Sequence, residues 1–140
     1  MCGVMNSYCM DFLIRMKIST NVSFFHLKSM PMPRIDETHH LFKPIVQLSA
    51  QLVCVRPEFD DLWASLGDWV ADIPPAITPE HRATVRRELD ALVAHLYGIE
   101  HHEYQDLLKA FPLVFPNTSE GDKAREFYAM AHVNVMNRWR

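Results

Sequence analysis

Glycine is scarce in this chain, and so are paired cysteines and long apolar runs. The four glycines, Gly3, Gly67, Gly98 and Gly121, stand far apart among 140 residues. A loop that brings backbone close to a nucleotide or a methyl donor needs glycines in close succession, because only glycine removes the β-carbon from the approach. Neither a phosphate-cradling loop nor a methyl-donor loop is encoded here. The three cysteines, Cys2, Cys9 and Cys54, form an odd set without a C-x-x-C pair. Neither a zinc knuckle nor a disulfide framework is suggested, and a reducing cytoplasm is the expectation. No apolar run reaches the roughly 18 residues of a membrane span. Asn6, Ser7, Asp11 and Arg15 interrupt the apolar start, and no basic stretch precedes it, which argues against a secretory leader.

What is present describes a globular chain. Hydrophobic residues make up 49% and charged residues 22%, a balance that can bury a core. The length suits one domain. The net charge of −3 is unevenly placed. Residues 1–34 hold Arg15, Lys17, Lys28 and Arg34 against Asp11 alone, a balance of +3. The remainder holds ten basic and sixteen acidic side chains, a balance of −6. A basic segment on an acidic body suits a protein that meets phosphate on one side, although ordinary variation of surface charge gives the same split.

The patterning predicts a mainly α, bundle-like fold with one short strand or extended segment near the N-terminus. Val4 to Ile18 reads as a helix with a broad apolar stripe. Val22 to Leu27, β-branched and aromatic, reads as the strand. Pro31 and Pro33 force an extended exit and mark a boundary, dividing the chain into 1–34 and 35–140. Helices are expected over Leu41 to Val55 and Glu58 to Leu66, the latter with Phe59, Leu62, Trp63 and Leu66 on one face and Gly67 as its stop. Asp68 to Ile77 reads as a linker. The next helix has Thr78 as cap, Pro79 in its first turn, Val85, Leu89, Leu92, Val93 and Leu96 as its stripe, and Gly98 as its end. Tyr104, Leu107, Leu108 and Phe111 repeat the pattern up to Pro112. Asn117 to Gly121 reads as a loop. Ala124 to Asn137 closes the chain as a helix, with Phe127, Ala131 and Val135 on one face.

Two blocks of sequence carry a resemblance. Asn6 to Arg34 reads N-S-Y-C-M-D-F-L-I-R-M-K-I-S-T-N-V-S-F-F-H-L-K-S-M-P-M-P-R. It resembles the end of the target recognition region in type IIG restriction–modification enzymes and related adenine-N6 DNA methyltransferases, and more loosely the same point in type I specificity subunits. Glu88 to Pro116, E-L-D-A-L-V-A-H-L-Y-G-I-E-H-H-E-Y-Q-D-L-L-K-A-F-P-L-V-F-P, is similar to the L-D-A-L-V-A-x-L-Y-G-L…F-P signature near the C-terminus of those enzymes. Together the blocks cover somewhat under half of the chain. The resemblance implies a non-catalytic C-terminal fragment of a larger enzyme. That parent would methylate adenine with S-adenosylmethionine and could also cut DNA. This chain would finish the recognition region and pack it against the rest of the enzyme, with DNA as a further partner.

The chemistry-bearing motifs of such enzymes are not found. The methyltransferase motif is an Asp or Asn, two prolines and an aromatic that stacks on the flipped base. Asp72-Ile73-Pro74-Pro75-Ala76 fails at Ile73 and at Ala76, and reads as linker. A restriction nuclease needs an acid and an acid-x-Lys pair. Asp106-Leu107-Leu108-Lys109 and Glu120-Gly121-Asp122-Lys123 have the wrong spacing. His102-Glu103-Tyr104-Gln105-Asp106 resembles H-E-x-x-H with Asp106 as second ligand, but no third ligand is indicated. His39-His40 and His101-His102 fall at helix starts, where exposure is the expectation. Arg82, Arg86 and Arg87 could touch phosphate, though a solvated face beside Glu88 and Asp90 is the plainer reading. Tyr8, Phe12, Phe24 and Phe25 could stack on bases, but aromatics at helix and strand spacing usually fill a core.

The best candidates for DNA proximity are Lys17, Ser19, Thr20 and Asn21 at a turn, with Lys28 beyond it. A cation and short polar side chains contact phosphate oxygens and some base edges readily. No cofactor and no metal ligand is assigned to the chain itself. A homodimer through the N-terminal helix is an expected partnership, because Met5, Phe12, Leu13 and Met16 would have lost the domain they pack on. Two other classes stay open: a helical protein–protein interaction module without DNA contact, and a small metal-dependent enzyme built on the histidines.

Overall fold

The computed structural model describes residues 1–18, 21 and 23–139. Eight α-helices and no strand occur among these residues. The helices are α1 (Cys2–Met5), α2 (Tyr8–Lys17), α3 (Phe24–Lys28), α4 (Phe42–Val53), α5 (Asp60–Leu66), α6 (Pro79–Leu96), α7 (His101–Leu108) and α8 (Ser119–Arg138). The mainly α expectation holds.

The centre is α6. Thr78 Oγ1 accepts the His81 N–H at 3.2 Å, and Pro79 occupies the first turn, where its missing donor costs nothing. Val85, Leu89, Ala91, Leu92, Val93 and Ala94 are buried along it, while Leu96 is half-buried against the same core. Gly98 ends the segment at φ 71°, a conformation that favours glycine. Helices α4 and α8 both pack on α6, with α7 against α8. Tyr104, Leu108, Phe111 and Phe115 complete the core from α7 and the turn after it.

The N-terminal segment departs from the expected single helix. Asn6 and Ser7 break it into α1 and α2, and Ser7 caps the second piece by accepting the Met10 N–H at 3.2 Å. The short α1 lies against α4 and α6. Gly3 makes that approach feasible, since a β-carbon there would overlap Ser49 Oγ. Val4, Cys9, Met10 and Met30 then join the same core as Leu92.

The expected strand over Val22 to Leu27 is not found; Phe24–Lys28 is helical, and Val22 lies outside the described residues. The reason is local. Ser23 and His26 form a capping box, in which the Ser23 N–H donates to His26 Nδ1 at 3.3 Å. Among the described residues no neighbouring strand is present to make use of the aromatic side chains as a pleated face.

Helix α5 buries no side chain; Leu62 and the other apolar residues of its expected face are half-buried or exposed. Gly67 stops it at φ 52°. The linker after it is strapped to α4. Gln47 Nε2 donates to the Trp69 carbonyl at 2.7 Å, Gln51 Nε2 to the Pro74 carbonyl at 2.8 Å, and the Ala76 N–H to the Gln51 carbonyl at 2.8 Å. On α8, Phe127 is 64% exposed and is not on the buried face with Ala131 and Val135; Ala129 and His132 are buried there instead. Its N-terminus is capped by Thr118, which accepts the Gly121 N–H at 3.1 Å. No helix among the described residues is long and apolar enough to cross a membrane.

Candidate functional site

A buried carboxylate, Asp90, lies on the face of α6 turned toward α2 and α8. Only 3% of it is exposed. One carboxylate oxygen accepts the Tyr8 N–H at 3.0 Å, and the other accepts the Tyr128 hydroxyl at 2.5 Å. Tyr8 opens α2, so the carboxylate also faces the positive end of that helix. Burial pushes the Asp90 carboxyl up to about 6, although the Tyr128 hydroxyl, the Tyr8 N–H and the Arg86 charge all favour its ionised form. Burial and the Asp90 charge likewise push the Cys9 thiol up to about 12, which leaves it a neutral thiol rather than a nucleophile.

Aromatic packing reinforces this joint. The Tyr8 ring lies 4.7 Å from Phe111, 5.6 Å from Tyr128 and 5.9 Å from Phe115, centroid to centroid. Arg15, about two turns further along α2, sits 5.1 Å over the Phe111 ring. An open cleft of about 550 Å³ lies beside the joint, lined by Asn6, Ser7, Asp11, Arg82, Arg86 and Asp90 among others. Arg82 is committed to structure, donating to the Leu52 and Ala76 carbonyls at 3.1 Å each. Arg87 lies 4.4 Å over Phe127. Of the three arginines, only Arg86 is exposed.

The candidate DNA residues gather where α2 and α3 end. Lys17 is exposed, and its Nζ donates to the Ser29 carbonyl at 3.1 Å, pinning the end of α3 to the end of α2. Lys28 is exposed on the last turn of α3, Asn21 is exposed between the helices, and Arg34 is exposed past the proline exit. Ser19 and Thr20 lie outside the described residues. Phe24 and Phe25 are 78% and 77% exposed, so they are not core aromatics.

A second polar joint lies further along α6. His95 Nε2 donates to the His132 carbonyl at 2.6 Å, and His132 Nε2 to the Ile99 carbonyl at 2.8 Å. The two rings stack at 3.8 Å. Burial, with the His95 charge next, depresses His132 to about 4. His101 approaches His132 at 5.8 Å; it is half-buried rather than exposed, and its Nδ1 has no hydrogen-bond partner among the described residues. His102 is exposed, 3.5 Å from Glu100, while Asp106 pairs with Lys109 at 2.7 Å. Among the described residues no group of three His, Cys, Asp or Glu side chains is placed to hold a metal ion.

Asp90, His95 and His132 were not singled out from sequence as joints. The available signal was position: Asp90 and His95 flank Leu92 inside an otherwise apolar stripe. No family model matches the chain, and neither a curated protein nor a solved structure matches it.

Proposed function

We propose that this chain is a non-catalytic C-terminal part of a type IIG-like adenine-N6 restriction–modification methyltransferase, a cytoplasmic enzyme whose S-adenosylmethionine site lies elsewhere. Its role is to seat the end of the target recognition region on a helical domain and to help that region meet DNA. One observation carries this reading. The two blocks that resemble the family, distant in sequence, are joined face to face, and the residues that characterise them make the joint. Ser7 caps α2, the Tyr8 N–H reaches Asp90, and the Tyr8 ring packs on Phe111 and Phe115. The basic residues Lys17 and Lys28, with Asn21, remain on the surface beside this joint. Ser19 and Thr20 belong to the same proposed DNA-facing turn.

The test is fluorescence anisotropy on a labelled duplex at two salt concentrations. An excess of +3 in residues 1–34 allows about three phosphate contacts, so log affinity should fall against log salt with a slope near −3. Replacing Lys17 and Lys28 together with Ala flattens that slope, and Arg86→Ala changes it less. Absence of binding at low salt, or binding untouched by the double change, favours the second reading. That reading, a helical protein–protein interaction module, draws on the exposed Met16, Phe24 and Phe25.

A further inference from the structure

Along α2, Cys9, Phe12, Leu13 and Met16 follow one another at helical spacing, so they share one edge of the helix. The first three line a groove of about 490 Å³ whose other wall is Tyr97, Ile99 and Leu107. The groove is apolar within, and Glu103 and Asp106 stand on its rim. Its size is that of a ligand-binding cleft, within the ~300–1,000 Å³ range. Past its end, Met16 is 72% exposed, and beyond Met16 stands α3 with its two bare phenylalanines. The Lys17–Ser29 hydrogen bond links α3 to the end of α2, and within one chain both rings face solvent.

The two surfaces match in chemistry. The phenylalanines are flanked by His26 and Lys28, with Lys17 close by, whereas the groove rim carries Glu103, whose carboxylate also caps α7, and Asp106, which is shared with Lys109. A similar contrast runs through the whole chain, +3 in residues 1–34 against −6 in the rest. We propose that the groove between α2 and α7 receives the Phe24–Phe25 pair of a second copy of this chain, the two copies exchanging α3 about a two-fold axis. Each contact is then made twice, and the surface is self-complementary as a two-fold dimer requires. Each phenylalanine brings at most about 150–250 Å² to an interface, so four rings with the groove walls bury roughly 1,000 Å², the size of a weak, reversible interface. The rim charges set orientation and salt sensitivity more than strength.

The test is sedimentation velocity of the full chain up to about 200 µM, where a dimer of about 1–50 µM dissociation constant is populated. Replacing Phe24 and Phe25 with Ser weakens association at least about tenfold. Because both rings are exposed in one chain, the urea midpoint of that variant, read at a concentration where the wild type is also monomeric, stays unchanged, which separates lost docking from lost folding. Leu13→Lys in the groove weakens association similarly. Mixing the two variants restores one of the two contacts and gives a mixed dimer of intermediate affinity. A wild-type chain that stays monomeric at about 200 µM overturns the proposal and leaves the groove to a different chain. So does a dimer that survives the loss of Phe24 and Phe25, or a mixture that forms no mixed dimer.

Discussion

Asp90 and the His95–His132 pair are two polar joints on one helix, little more than a turn apart. Each ties α6 to distant chain through buried hydrogen bonds, Asp90 to α2 and α8, His95 to α8. They answer protons in opposite ways. Burial raises Asp90 from 3.8 to about 6, so protonation relieves a buried charge. Its stabilising contribution is fully present below 3.8 and is lost as pH rises through about 6. Burial lowers His132 from 6.5 to about 4, so protonation creates a buried charge. Its contribution is present above 6.5 and is lost as pH falls through about 4. The two act over nearly the same window with similar size. The lesson is that a flat pH response can hide two strongly perturbed groups.

The largest effect should come from removing what lies between the joints. Leu92 is fully buried there, and Leu92→Ala should cost about 2–5 kcal/mol in urea unfolding. A loss below about 0.5 kcal/mol would mean that the interior of α6 is not packed as described.

Breaking one joint should be selective. Asp90→Ala strands the Tyr128 hydroxyl and the Tyr8 N–H, a cost of about 1–3 kcal/mol. Hydrogen exchange should quicken across α2 while α6 and α8 stay protected. Uniform loss of protection would instead make Asp90 part of a single cooperative core.

The pH comparison itself is sharpened by Asp90→Asn. With the compensating carboxyl gone, stability should fall more steeply from pH 6.5 to 4 than in the wild type, because His132 then acts alone. His132→Gln should reverse the sign, giving a protein that gains stability as pH falls through about 6. Urea midpoints at the two ends of this window decide the point. Parallel profiles for all three proteins would show that neither group binds protons differently in the folded and unfolded chain over this range.

The smallest effect is expected at the surface. Lys17→Ala with Lys28→Ala should leave the unfolding midpoint in place while altering the salt dependence of DNA binding. A large drop in the midpoint would give the Lys17–Ser29 contact a structural weight that exposed groups seldom carry.

Much of α6 was legible because its signals are local: a Thr78 cap, Pro79, a periodic stripe and a glycine stop. The joints were not legible for the opposite reason. The partners of Asp90 are a backbone N–H near the start of the chain and a hydroxyl on the last helix, and neither leaves a mark near Asp90. The break at Asn6 and Ser7 was masked because apolar residues continue across it. Helix α3 was misread because its phenylalanines have strand propensity and its capping box uses His26 where a glutamate or glutamine is usual. On α8 the buried face runs through Ala129, His132 and Val135, with Tyr128 half-buried beside it, and apolar Phe127 fits the helical spacing to Ala131 as well as these residues do.

The link from Tyr8 to Asp90 spans 82 residues, and Asp90 to Tyr128 another 38. During synthesis the first two helices therefore exist well before their anchor does. Until α6 has left the ribosome, the apolar edge of α2 has nothing to cover it. Closing so long a loop is entropically costly, so the pairing of α6 with α8 should form first and the N-terminal segment should dock last. The interval before docking is when a chaperone, or another copy of the chain, has its best opportunity to capture the segment.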